Sequence, residues 1–127
     1  MTPARKKPGN EEHGIQVAIM AFLDMALPAS YRAFAIPNGG KRDKITGAIL
    51  KREGVKAGVP DIAIVRNGGT VAFLEVKTAT GRLSNSQTEF RDWCGSNSIP
   101  YAVVRGVGDV QAALMDWNVP IRVRAAA

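Results

Sequence analysis

Asp61, Glu75 and Lys77 are the residues whose types and spacing could do chemistry. Asp61 closes the run Gly58-Val59-Pro60-Asp61, and Glu75-Val76-Lys77 begins fourteen residues later. Residues 70 to 77 are rich in β-branched and apolar side chains and read as a strand, with Asn67-Gly68-Gly69 as the turn before it. Alternation along that strand puts Phe73, Glu75 and Lys77 on one face and Ala72, Leu74 and Val76 on the other. The run from Asp61 to Arg66 reads as the preceding strand. If residues 67 to 69 form a three-residue loop, Arg66 faces Thr70, and counting back sets Asp61 opposite Glu75. A two-residue loop would shift the pairing by one and turn Asp61 to the far face. Directly opposed β-carbons lie roughly 4.5–5.5 Å apart, close enough for two carboxylates to share a cation. Lys77, about 7 Å along the strand from Glu75, could then reach an attacking water or a phosphate. Two carboxylates and an amine so placed suit hydrolysis of a phosphodiester with a divalent metal. The competing reading is a solvated sheet face that happens to carry Glu and Lys, after a Pro-Asp turn. Spacing alone leaves both open.

The remaining elements must hold these residues in place. Ile15, Ala18, Ile19, Phe22, Leu23 and Ala26 recur at helical spacing from Glu11 onward, and Pro28 stops that helix. Glu12 lies at the edge of its apolar stripe and can look toward the sheet, although Glu11 and Glu12 also suit a helix N-terminus. His13 beside them reads as a surface residue of the first turn. Residues 32 to 36 read as a short strand entering Pro37-Asn38-Gly39-Gly40, where glycines permit close approach of backbone to a ligand. Asn38 stands where it could position a substrate, and Asn before Gly is also a turn former.

Residues 41 to 56 hold Lys41, Arg42, Lys44, Lys51, Arg52 and Lys56 against only Asp43 and Glu53. Ile45, Ala48, Ile49 and Arg52 predict a helix with a narrow apolar stripe and a basic outer face, which is expected to contact a phosphate backbone. Ser84 and Gln87 match a capping box opening a third helix that buries Phe90, Trp93 and Cys94. Residues 100 to 104 read as the last strand. Val107 to Asp116 form the closing helix, with Val110, Ala113, Leu114 and Trp117 inward. Residues 121 to 127 read as a short extra strand or a frayed tail. The order α, β, α, β, β, α, β, α predicts one mixed sheet flanked by helices.

Composition narrows the class further. A chain of 127 residues suits one core, and 17 Lys and Arg against 11 Asp and Glu, a formal net charge of +6, favour a polyanionic partner. One cysteine and one histidine leave no Cys/His metal cluster, so a bound metal would be hard and oxygen-ligated. No stretch has the roughly 18–20 apolar residues of a membrane span, and residues 1 to 10 lack the apolar segment of a signal peptide, so a cytoplasmic protein with no membrane partner is expected. No Gly-x-x-x-x-Gly-Lys-Ser/Thr loop is present, which removes the NTPase reading.

Gly58-Val59-Pro60-Asp61, Phe73-Leu74-Glu75-Val76-Lys77 and Gly81-Arg82-Leu83-Ser84 with Gln87 resemble the VRR-NUC branch of the PD-(D/E)xK nuclease superfamily. The likeness extends from Glu12-His13-Gly14-Ile15-Gln16 through Ile36-Pro37-Asn38-Gly39-Gly40 to Tyr101-Ala102-Val103-Val104-Arg105. It implies an α/β restriction-endonuclease-like core, with residues 1–10 a flexible basic arm, 11–119 the nuclease domain and 120–127 a tail. It implies that Asp61 and Glu75 bind Mg²⁺ or Mn²⁺, that Lys77 orients or activates the attacking water, and that Glu12 and Gln87 complete the site. Which of Glu11 and Glu12 matches the helical glutamate is left open by the sequence. Asn38, Lys41, Arg42, Lys44, Lys51, Arg52 and Lys56 are the expected DNA contacts.

By the same resemblance the substrate is DNA cut at flaps, forks or four-way junctions, leaving 5′-phosphate and 3′-hydroxyl ends. Similar stand-alone copies of phages and bacteria are expected to act as homodimers in DNA repair or Holliday-junction processing. Burial and a bound cation would lower the Lys77 pKa enough for it to act as a base. A nonspecific or restriction-like nuclease and a catalytically silent DNA-binding protein of the same fold are the alternatives.

Overall fold

The computed structural model describes residues 8–37 and 44–122. Its elements run α1 (Pro8–Ala26), β1 (Tyr31–Ala35), α2 (Lys44–Arg52), β2 (Ile62–Arg66), β3 (Val71–Val76), α3 (Asn85–Ser96), β4 (Tyr101–Val104) and α4 (Val107–Asp116). That is the succession set out by the apolar pattern. The strands lie in the order β1-β2-β3-β4. The first three are antiparallel, and β3 and β4 are parallel. Parallel neighbours cannot be joined by a tight turn, and α3 is the crossover between them.

Each sheet face has its own cover. Ile62, Ile64, Leu74, Val76 and Val104 meet Ile19 and Leu23 of α1 and Val110 and Leu114 of α4. Full burial of each such side chain contributes about 1.5–3 kcal/mol relative to exposure. On the opposite face α3 lays Phe90 edge-on against Phe73, ring centroids 5.4 Å apart, with Tyr101 at 6.4 Å. Cys94 is fully buried there as a free thiol. The result is an α/β molecule with a mixed sheet between helices. No helix among the described residues is long and apolar enough to cross a membrane.

Four details differ from the sequence pattern. Helix α1 starts at Pro8, inside the stretch read as an arm, and proline's fixed φ suits a first helical position. Arg5, Lys6 and Lys7 lie outside the described residues. Ala18 is exposed although it keeps helical spacing, because Ile19 and Leu23 take the inner line of the stripe. Trp93 is 52% exposed. Phe90 and Cys94, four apart, face the sheet, and Trp93 lies beside them against Phe90 with ring centroids 5.6 Å apart.

In α2, Ile49 is 48% exposed and Ala48 is exposed, since among the described residues no helix or strand packs extensively against α2. Its apolar stripe is therefore not a core face. At the other end of the chain, the Arg122 N–H donates to the Ala26 carbonyl at 2.6 Å, folding residues 120 to 122 back onto α1 without making a strand. Residues 123 to 127 lie outside the described residues.

Candidate active site

Loop length decides the placement of the two carboxylates. Gly68 and Gly69 both have positive φ, which glycine adopts without steric cost, and residues 67 to 69 close a three-residue loop. The Arg66 N–H donates to the Thr70 carbonyl at 2.9 Å and the Gly69 N–H to the Arg66 carbonyl at 3.0 Å. Ile62 accordingly pairs with Leu74 and Ala63 with Phe73. One further step sets Asp61 opposite Glu75. Asp61 is held there from both sides: its carbonyl accepts from the Ile36 N–H at 2.7 Å, and its Oδ2 accepts from the Val76 N–H at 2.8 Å.

The neighbouring charges act strongly on one another. Glu75 is 1% exposed and its Oε1 has no hydrogen-bond partner. Burial pushes its carboxyl up to about 9, reinforced by a hydrogen bond and charge repulsion from Asp61 and opposed by Lys77. Two carboxylates this close hold one proton between them unless a cation takes its place. Burial also raises the Glu12 carboxyl, with Lys77 opposing and Asp61 reinforcing, so Glu12 stands in the field of the site. Glu11 is exposed. Among the described residues no group of three or more His, Cys, Asp or Glu is gathered closely enough to hold a metal ion.

The donor set still fits a hard divalent cation. It offers two adjacent carboxylates, one of them buried, and Mg²⁺ takes few protein oxygens and fills its octahedron with water and substrate phosphate.

A cleft of about 480 Å³ is lined by Asp61 together with Lys51, Lys56, Gly58 and Gln87. Arg52 is exposed on the same helix as Lys51, and Lys44 opens that helix. Asn38, Lys41 and Arg42 lie outside the described residues. Gln87 has the structural role its spacing indicates: its Oε1 accepts from the Ser84 N–H at 2.8 Å, and its own N–H donates to Ser84 Oγ at 3.2 Å. It also lines the cleft. An apolar cavity of about 200 Å³ under Tyr31, Ile64 and Trp117 lies at the opposite end of the sheet from these groups.

Gly58 explains why the run before Asp61 begins with glycine. Its φ is +87°, and an added β-carbon would sit 2.3 Å from the Ser86 carbonyl oxygen in the first turn of α3. This contact fixes the entry to β2 against the start of α3. Gly58→Ala is expected to lower stability by about 2–3 kcal/mol and to displace Asp61, read as a lowered denaturation midpoint together with reduced cleavage.

The sequence named Arg105 without giving it a task. Its guanidinium donates to the Thr78 carbonyl and, at 2.8 Å, to the Gly81 carbonyl, tying down the loop that follows Lys77. Its own N–H donates to Asp109 Oδ2 at 2.9 Å. Both bonds leave one terminal nitrogen, Nη1, which the rigid guanidinium plane holds between the two carbonyls, whereas a compact, strongly hydrated ammonium on a flexible stem is not held there. Arg105→Lys is expected to loosen residues 78 to 81, seen as faster amide exchange there, and to cut turnover about tenfold with stability changed by about 1 kcal/mol. The signal for this was Arg directly after a half-buried strand, but its carbonyl partners lie more than twenty residues away and no spacing reveals them.

Residues 12–108 match the model of the VRR-NUC domain. The chain belongs to the VRR-NUC family. VRR-NUC domains are part of the PD-(D/E)xK nuclease superfamily, so a nuclease of that type, acting on DNA, is the function the family indicates. Two solved structures share the fold. One VRR-NUC domain is 18% identical with a TM-score of 0.55, over 84% of this chain and 95% of that one. A VRR-NUC domain protein is 17% identical with a TM-score of 0.62, over 90% of each chain. No curated protein matches the sequence. In this VRR-NUC domain the matched segment takes in Glu12, Asp61, Glu75, Lys77, Gln87 and Arg105.

Proposed function

We propose that this VRR-NUC protein is a Mg²⁺- or Mn²⁺-dependent endonuclease that hydrolyses phosphodiester bonds in branched DNA. The observation that carries the reading is the buried Glu75 carboxylate set opposite Asp61, a pair whose mutual repulsion a divalent cation would relieve. Asp61 and Glu75 would hold that cation, which would supply water activation and neutralisation of developing charge on the phosphate. The protein's own groups do the rest. The Val76 N–H holds Asp61 so that its carboxylate faces Glu75. Lys77, half-buried beside them, orients the attacking water and balances charge as the phosphate becomes crowded. Glu12, at the start of α1, is drawn toward its charged form by Lys77. Lys51 and Lys56 line the cleft that leads to Asp61 and bind the phosphates flanking the cut. A homodimer would offer two such sites to the arms of one branched substrate.

The experiment is cleavage of labelled single-stranded, duplex, flap, fork and four-way-junction DNA with Mg²⁺ or Mn²⁺. Cutting confined to branched species supports the reading. Equal cutting of all of them indicates a nonspecific nuclease, and tight binding without cutting a DNA-binding protein of nuclease fold.

A further inference from the structure

Among the described residues two buried side-chain polar atoms lack a hydrogen-bond partner, and they are Glu75 Oε1 and the Tyr101 hydroxyl. They belong to adjacent parallel strands. Phe73 pairs with Tyr101 and Glu75 with Val103, so Tyr101 is the diagonal neighbour of Glu75 across β3 and β4, a separation a tyrosine side chain can span. The Tyr101 ring rests on Phe90, centroids 6.4 Å apart. Of the charges acting on its hydroxyl, Glu75 is the strongest, ahead of Arg91 and Asp61. A buried hydroxyl without a partner costs about 1–3 kcal/mol, and phenylalanine would fill the same space without that cost. Retaining an oxygen there calls for something that it binds.

Building on the reading of Asp61 and Glu75 as the cation's ligands, we propose that Tyr101 is a positioning residue: its hydroxyl donates, through one bridging water, to Glu75 Oε1 and fixes the carboxylate orientation that presents the other oxygen beside Asp61. A hydroxyl and a carboxylate oxygen buried together give a water two polar partners, enough to hold it. Outer hydrogen bonds of this kind set the direction of a ligand and not only its presence. Tyr101 itself touches neither metal nor DNA and acts through Glu75.

The test uses the metal alone. Binding of Mn²⁺ to metal-free protein without DNA is followed by electron paramagnetic resonance for wild type, Tyr101→Phe and Phe90→Leu. Tyr101→Phe is expected to weaken Mn²⁺ binding about 10–100-fold. Its thermal midpoint should fall by no more than about 5 °C, the loss of one hydrogen bond, and the Mn²⁺ concentration for half-maximal cleavage should rise more than the saturating rate falls. Phe90→Leu, which disturbs the same packing and leaves the hydroxyl, should bind Mn²⁺ within about threefold of wild type. Unchanged Mn²⁺ affinity in Tyr101→Phe, or equal weakening in both variants, overturns the proposal. If wild type itself binds no Mn²⁺, the metal-dependent reading fails and this inference falls with it.

Discussion

Lys77→Ala is expected to lower DNA cleavage by about 10²–10⁴-fold, the range for a positioned group that handles a proton or orients the nucleophile. DNA affinity, measured in Ca²⁺ or without divalent metal, should change by less than about fivefold, because Lys77 is one cation among the many that neutralise phosphates. The fold should survive the change. The Lys77 backbone N–H donates to the Val104 carbonyl at 3.0 Å, a bond that any side chain permits. The split between binding and turnover is the informative part. A basic residue that only holds DNA would lose affinity and cleavage together, and retention of cleavage within tenfold of wild type would remove Lys77 from the reaction.

Glu75→Gln should trade activity for stability. Cleavage is expected to fall by about 10²–10³-fold, since a neutral amide neither balances nor directs the cation as a carboxylate does. The metal-free protein should become more stable at alkaline pH. The Glu75 carboxyl sits at about 9 in the folded chain against an ordinary 4.5. Below about pH 4.5 folded and unfolded chains both carry the proton, and above about 9 neither does. Between those limits the folded chain holds more protons, so its contribution to stability is full at the acid end and is lost as pH rises through 9. Denaturant midpoints of metal-free wild type should therefore decline from pH 5 to 9. Glu75→Gln should flatten that decline, and saturating Mn²⁺ should offset it in wild type but not in the variant. A wild-type profile that rises over this range would contradict the account of the carboxylate pair.

The register of β2 and β3 was legible because a period of two and an odd loop leave a single way to put both carboxylates on one face. The Ser84–Gln87 cap was legible because it is local. Exposure was read less well where a helix has a shallow face. Trp93 and Ile49 have helical spacing, yet pattern cannot say that α3 turns Phe90 and Cys94 to the sheet while Trp93 stays half exposed, or that among the described residues no element packs extensively against α2. Of Glu11 and Glu12, the structure brings Glu12 into the field of Lys77 and Asp61, a distinction set by helix phase against the sheet. Contacts between distant segments carried no local trace. Gly58 against Ser86, Arg105 on Thr78 and Gly81, and Tyr101 beside Glu75 all depend on how the chain returns on itself.

Asp61 and Glu75 are proposed to hold one divalent cation together, and anomalous scattering from crystals soaked in millimolar Mn²⁺ would locate it. A peak is expected between the two carboxylates, within coordination distance of an oxygen from each. A well-ordered site with no peak there, or a peak held only by other residues, would contradict it.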